Sequence, residues 1–491
     1  MAGQARQMGI GKSAAVLTAG GMVEFVLQFL VPIVLVRNLD TATFGQYRFL
    51  TLMLGTALAL APTFMPQSLY YFLPVAPEER KRAVIGNVLV YLAVMGCIAA
   101  IVASPLNPAG GMLLHKLFHD THGGSAVFLG LSVLLSITTT LAIAEGRIIW
   151  QFSADLGIAL VRTVLIFMAA VFTHELAWVV AALVMETVLR VAVTLAYLQT
   201  RPGGGRVRCE PGLMAVQLRY SFPFAVGASL YGLRVQSDQW IAAGMFPSAA
   251  FAALTIGAVV LPVATLIRQP INSAMLPRLS AAFASGSHTE VHRLLLKASC
   301  AATLLLVPIA GTLFVLAPEI VELVYTAQYL AAVPVMRAYL VLIMMQSFAI
   351  GYAMPILNLG KLAVRINAAG LLVSVGTSLA GAWCFGLAGA ALGSVVAFAL
   401  CEAVNLHVIA RLLGTSISDM FPLRLVLITA GAAAIGLLAT SFYPTAGGGD
   451  LWLGIGLKLG LYGAVGAAVF TTAGGLAEVQ RIRGVPRAGN M

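Results

Sequence analysis

Nine charged side chains interrupt the apolar stretches of this chain: Glu24, Arg162, Glu186, Arg190, Arg234, Asp238, Arg268, Glu402 and Lys458. A charge in mid-bilayer costs about 2.5–3.5 kcal/mol on insertion scales, so each calls for a partner or a function. Arg268 has no acid within one helical turn and sits just before Pro270. A guanidinium so placed in a proline-bent helix is the strongest candidate for holding a phosphate, whose oxygens match its two-pronged donor geometry. Arg234 and Asp238 are four apart and stack on one helix face. They either neutralise each other locally or form a gated pair from which Arg234 is released to meet phosphate.

Glu24 and Gln28 also share a face, below Pro32. Three readings stay open for them: a helix–helix hydrogen bond, a proton or sodium site, or a counter-charge to Arg268. Arg37 and Arg48 bracket the outer end of the first hairpin. They either snorkel to the interface or receive a phosphate at the mouth of a cavity. Arg147 and Arg219 stand at inner helix ends, where topology or attraction of an anionic head group explains them equally. Glu186 and Arg190 read as a structural i,i+4 pair; Glu402 and Lys458 are structural or without a known role.

Only membrane-spanning helices can position such groups. The chain is 60% hydrophobic and 10% charged, against about 25% charged residues in soluble proteins. Its mean hydropathy is +0.95, and the shortage of charge extends along the whole length. Fourteen spans are expected: 14–36, 46–73, 84–103, 124–145, 155–173, 176–199, 214–244, 249–277, 293–316, 333–358, 363–384, 387–411, 421–443 and 451–475. One helix over 363–411 would run about 74 Å at 1.5 Å per residue, far beyond a core of about 30 Å. A turn at Cys384-Phe385-Gly386 is therefore required, and by the same reasoning one near Thr173-His174-Glu175.

The basic residues fix the orientation. Of 29 Lys and Arg, 20 fall at the termini and in alternate gaps, four in the other gaps, and five within spans. The positive-inside rule then puts both termini in the cytoplasm. A missed span would invert the pattern beyond it, and no inversion occurs. The net charge of +11 thus reflects topology and anionic lipid heads, not nucleic-acid binding.

The Arg201-Pro202-Gly203-Gly204-Gly205-Arg206 linker follows six spans, and six more precede Arg411. This suggests parallel repeats: an N-lobe over 1–205, a C-lobe over 206–415, and two appended helices with a cytoplasmic tail over 416–491. Pro62 and Pro66 in the second span echo Pro262 and Pro270 in the eighth. Such prolines free backbone carbonyls and bend helices, which is tolerated beside a cavity or another helix.

Several strings exclude other chemistries. Gly11-Lys12-Ser13 lacks the earlier glycine and the strand of a P-loop, so no nucleotide is expected. His115, His119 and His122 lie in an outside loop beside Lys116 and read as solvated rather than metal-binding. The five cysteines form no CxxC pair. Neither cofactor nor metal is expected. The first apolar stretch carries Glu24 and Gln28, is too long for a signal h-region and lacks a small-residue cleavage site.

Val36-Arg37-Asn38-Leu39 followed by Phe44-Gly45-Gln46-Tyr47 resembles the "R-x-L-x(4)-[FY]-G-x-Y" element of bacterial polysaccharide flippases. These are the Wzx-type members of the multidrug/oligosaccharidyl-lipid/polysaccharide exporter superfamily. Asp238-Gln239-Trp240-Ile241 with 249–257 resembles their seventh-to-eighth helix junction. Gln328-Tyr329, Pro334, Arg337 and 358–361 are similar to their tenth helix and its ends, and 386–391 to the start of their twelfth. The resemblance covers nearly the whole chain in order. It implies an all-α polytopic fold with two six-helix lobes about a central cavity and two C-terminal helices. It also implies transport, not catalysis, of an undecaprenyl-pyrophosphate-linked oligosaccharide between leaflets of the bacterial inner membrane. A polysaccharide polymerase and a chain-length regulator would then be partners, with proton or sodium coupling through Glu24 or Asp238 left open. Two other classes compete: a cation-coupled drug exporter of the same superfamily, and a membrane glycosyltransferase or polymerase. The latter usually needs a large outside loop with paired acids, whereas Asp40, Asp120 and Asp450 are isolated here.

Overall fold

The computed structural model describes residues 29–104, 121–200, 208–420, 423–441 and 451–483, with Val23, Val26, Leu27 and Asn107. Glu24, Gln28, Gly11-Lys12-Ser13, His115, His119 and the 201–206 linker lie outside the described residues. So does the His122 side chain.

Among the described residues every regular element is helical. The chain divides into two compact units, Met1–Gln236 with Phe246–Ala252, and Ser237–Met245 with Ala253–Met491. The division falls inside a long helix after Gln236, while the sequence suggests the 201–206 linker. The first part of that helix is tied to its own unit by side-chain hydrogen bonds described below.

Unit 1 holds α1 (Phe29–Asn38), α2 (Thr41–Leu60), α3 (Leu69–Val75), α4 (Glu78–Val102), α5 (His122–Leu134), α6 (Ile137–Ala144), α7 (Ile148–Thr173) and α8 (Leu176–Thr200). It also contains the start of α9 (Pro211–Met245) and of α10 (Ser248–Gly257). The rest of α9 and α10 belongs to unit 2, with α11 (Pro262–Ala284), α12 (His288–Val315), α13 (Ala317–Ile320), α14 (Ala332–Gln346) and α15 (Gly360–Leu413). α16 (Ile417–Met420), α17 (Leu423–Ser441), α18 (Leu451–Thr472) and α19 (Gly475–Arg483) complete it.

Seven helical stretches among the described residues are long and apolar enough to cross a bilayer, or eight counting the pair 456–472 and 475–481, bent by 59°. Several expected spans fall short of that test for identifiable reasons. α9 carries Arg219, Arg234 and Asp238, and other helices are broken. Large apolar side chains face outward, with Trp383 78% and Phe385 75% exposed. Such exposure would be an aggregation hazard in water and is ordinary against lipid.

Both turns required by length are present. His174 stands in the left-handed region at φ 57° between α7 and α8. Gly386, at φ 64° and ψ −144°, folds α15 back on itself. There the two arms touch backbone to backbone: a Cβ on Gly389 would run into the carbonyl of Gly381, and one on Gly393 into the backbone of Ser378. Asp40 starts α2, accepting from the amides of Ala42 at 3.0 Å and Thr43 at 3.1 Å and from the Thr43 hydroxyl. Burial pushes its carboxyl up, but these bonds outweigh burial and hold it below its ordinary value.

Four expected spans are interrupted. The second, 46–73, unwinds at 61–65 between Pro62 and Pro66, with Thr63 and Phe64 at positive φ. The fourth is briefly broken at Leu135-Ser136. The tenth, 333–358, is not one helix. It stops at Gln346 and re-forms as α15 at Gly360, through a stretch containing Gly351 and Pro355. The eighth unwinds at Ala258–Val260, ahead of Pro262, while α11 continues through Pro270 and Pro277. At the C-terminal end, Lys458 of α18 forms a buried ion pair with Glu319 of α13. Tyr462 enters between α12 and α17, where Gly311 and Gly436 leave it room.

Candidate functional site

The break after α14 in unit 2 brings two intramembrane charges onto one piece of backbone. A helix ending in hydrocarbon leaves carbonyls without donors, and a helix starting there leaves amides without acceptors. Arg268 of α11 supplies the donors: its Nη1 and Nη2 reach the carbonyls of Gln346 and Ala349. Glu402 of α15 supplies the acceptors. Its Oε1 accepts from the amides of Ile350 and Gly351, the latter at 3.0 Å, and its Oε2 accepts from Asn405 Nδ2 at 3.1 Å. The Arg268 guanidinium also lies 5.7 Å from the centre of the Tyr352 ring. A Cβ on Gly351 would approach Asn405 Nδ2 to 2.5 Å, so the Asn405 side chain would have to shift to admit one. The unwound segment is thus held by a cation on its carbonyl side and an anion on its amide side.

Below the break, Asp238 of α9 is 1% exposed. It accepts from the Tyr339 hydroxyl of α14 at 2.7 Å and from the Gln239 amide at 2.8 Å. The neighbouring Ser237 hydroxyl lies 2.7 Å from that of Ser374 on α15, and the Ser378 hydroxyl, one turn further, is buried without a hydrogen-bond partner. A carboxyl among hydroxyls can hold a proton or a small monovalent cation. Among the described residues no three His, Cys, Asp or Glu side chains converge on a metal position.

In unit 1 the guanidinium of Arg234, which is 8% exposed, lies 5.3 Å from the Tyr231 ring centre. α9 is docked on α2 around it: Ser229 donates to the Ala59 carbonyl at 2.9 Å, and Gln236 accepts from Thr56 at 2.6 Å. Gln217 of α9 and Asn87 of α4 are fully buried. They bond each other at 3.0 Å, and Gln217 reaches the Val84 carbonyl at 3.3 Å and Ser68, beside the Pro62–Pro66 break, at 3.4 Å. Arg37 is exposed at the end of α1, and Arg48 is half-buried in α2. Arg147 lies 5.5 Å from the centre of the Tyr197 ring, and Arg219 is exposed.

The expected residues therefore separate by unit: Arg37, Arg48 and Arg234 in unit 1, Asp238 and Arg268 in unit 2. Glu402, read as structural or unknown, caps the Ile350 and Gly351 amides. Nothing local marks it; the signal was Gly351 and Pro355 in an apolar run too long to need them.

Interrupted helices carrying buried charges define a polytopic α-helical membrane protein. A family model described as polysaccharide biosynthesis protein matches residues 10–283, and the chain belongs to that family. No curated protein matches the sequence. Solved structures agree on the fold. The lipid II flippase MurJ, in an inward closed conformation, superposes with a TM-score of 0.73 at 12% identity, covering 93% of this chain and 99% of its own. A multidrug resistance MATE family transporter of the MOP superfamily, inward-facing, gives 0.66 at 13% identity over 82% of this chain and 99% of its own. A MOP superfamily transporter from Pyrococcus furiosus gives 0.55 at 14% identity over 82% and 96%.

Proposed function

We propose that the chain is a flippase moving undecaprenyl-pyrophosphate-linked oligosaccharide units from the cytoplasmic to the periplasmic leaflet of the bacterial inner membrane. The units would feed O-antigen, exopolysaccharide or capsule synthesis, with a polymerase and a chain-length regulator as partners and both termini cytoplasmic. Family membership and the MOP-type fold support the class, and the Arg268 guanidinium seated on helix-break carbonyls is the observation that carries the mechanism.

A sugar head cannot cross hydrocarbon unaided, and its phosphates cost still more. Arg268 meets that cost by exchanging neutral carbonyls for phosphate oxygens, whose negative charge the guanidinium can pair at two points. The exchange releases the carbonyls of Gln346 and Ala349, so binding loosens one side of the broken helix. Arg234 offers a second guanidinium, and Arg37 and Arg48 receive the head on release. Movement by alternating access leaves the substrate chemically unchanged, so the protein is not an enzyme. A potential negative inside favours outward movement of an anion by about 2.3 kcal/mol per charge per 100 mV. Proton or sodium coupling would act through Asp238.

The test is Arg268→Gln in cells that depend on this chain for surface glycan. Glutamine still donates to a carbonyl but cannot pair with phosphate. Protein abundance close to wild type with loss of periplasmic delivery is expected; full delivery by this variant removes Arg268 from the site. The buried Asp238 favours a second reading, a cation-coupled drug exporter. Drug resistance conferred without any glycan delivery would select it.

A further inference from the structure

A column of aromatic rings joins the second span to α9 in unit 1. Tyr71 of α3 stacks on Tyr220 of α9, with ring centres 4.9 Å apart and planes at 15°. Phe72 meets Tyr220 edge-on at 5.5 Å. Phe224, one turn along α9, lies 5.7 Å from Tyr220 and stacks on Phe64 at 5.8 Å. Phe64 belongs to the unwound 61–65 stretch, where it and Thr63 take positive φ. Bulky residues seldom adopt that backbone, and residues held in it cluster at working sites. The Thr63 hydroxyl is paired with that of Tyr91 on α4, which also reaches the Ala61 carbonyl at 3.4 Å. The helix break is thus pinned in the form that lays a ring on α9.

Tyr220, Phe224, Tyr231 and Arg234 share one face of α9, within about 80° at 3.6 residues per turn. From Tyr220 to Tyr231 this stripe runs about 16 Å at 1.5 Å per residue. The Arg234 guanidinium closes its far end, 5.3 Å from the Tyr231 ring centre. Tyr71, Tyr220, Phe224 and Tyr231 are all exposed rather than buried in the core.

An interfacial belt gathers Tyr and Trp at one headgroup depth. This column instead runs lengthwise, is half Phe, and leads to a cation that lipid tails do not solvate. Carbohydrate matches it better. A pyranose carries its hydroxyls round the edge, while its faces present C–H groups that settle on the negative face of an aromatic ring. The guanidinium at one end complements the phosphate to which such sugars would be joined.

We propose that Phe64, Tyr71, Tyr220 and Phe224 form a carbohydrate platform, on which sugar rings of the substrate stack while Arg234 meets its phosphate end. This rests on the flippase reading above and adds which side chains recognise the sugar. Two probes separate sugar from lipid: undecaprenyl pyrophosphate, and the lipid-linked oligosaccharide that accumulates in cells lacking this chain. Each is titrated against the full chain in nanodiscs. Wild type should bind the glycosylated lipid roughly tenfold more tightly than the bare one, the scale of a few stacked rings. Tyr71→Leu with Tyr220→Leu keeps apolar bulk but removes the flat faces. It should bring that ratio close to one and leave binding of the bare lipid unchanged, which also certifies folding. Tyr71→Phe with Tyr220→Phe should keep the ratio, as should Phe222→Leu, exposed on the opposite side of α9. If the double Leu variant fails to accumulate, either single Leu variant decides by lowering the ratio or leaving it intact.

A wild-type ratio in the Leu variants would overturn the platform. So would equal weakening toward both lipids, which would put the rings against the prenyl chain. Wild type that binds both lipids equally overturns the platform alone, whereas wild type that binds neither overturns the flippase reading with it.

Discussion

Glu402→Ala strips the acceptor from two backbone amides, those of Ile350 and Gly351, and from the Asn405 side chain. Glu402 is 6% exposed, so water replaces little of what is lost. Leaving a buried donor unsatisfied costs about 1–3 kcal/mol, so two amides put the loss at roughly 2–6 kcal/mol. A unit of this size loses about 2–4 °C of melting temperature per kcal/mol, giving a drop of at least roughly 4 °C. Glu402→Gln keeps one acceptor oxygen and should fall between Ala and wild type. Two thiols report locally: Cys300 and Cys401 are buried, while Cys97, Cys209 and Cys384 are exposed. After the exposed thiols are blocked, the temperature at which the remaining two react with a maleimide follows the opening of unit 2. Because Arg268 and Glu402 hold the same segment, their effects in a double-mutant cycle should fall short of additive. Wild-type melting and thiol reactivity in Glu402→Ala would refute the clasp.

Gly389→Ala should lower abundance sharply, because its Cβ would strike the Gly381 carbonyl; Gly376→Ala, with open space around it, should not. Membrane-fraction immunoblots compare them. Lys458→Ala leaves the buried Glu319 charge alone and should cost about 3–5 kcal/mol, whereas Lys458→Met with Glu319→Leu should recover most of it. Thermal melts of the single and double variants test this. Asp40 is held below its ordinary value in the folded chain, so its contribution is full above the unfolded pKa and lost as pH falls through the folded one. Asp40→Asn should retain most of the cap while flattening the acid limb of the stability–pH curve, and Asp40→Ala should lose about 1 kcal/mol at neutral pH.

Length arithmetic made the turns at His174 and Gly386 legible, because no bilayer accommodates a single helix over 155–199 or 363–411. Hydropathy could not reveal the break after Gln346. Residues 333–358 carry a single charge, Arg337, and are mostly apolar; unwinding there is tolerated because Arg268 and Glu402, distant in sequence, satisfy the freed backbone. The same distance hid the role of Glu402, which follows from a neighbour about fifty residues away. Arg268 was legible as a residue needing a partner, but its partners are backbone carbonyls that sequence cannot pair.

The most direct measurement uses purified protein in vesicles loaded with a fluorescent undecaprenyl-pyrophosphate oligosaccharide. Its exposure to a membrane-impermeant glycosidase outside is followed over time. Wild-type protein should make the lumenal half of the lipid cleavable at a rate well above that of protein-free vesicles, and Arg268→Gln should not. Equal rates with and without the wild-type protein would contradict the account.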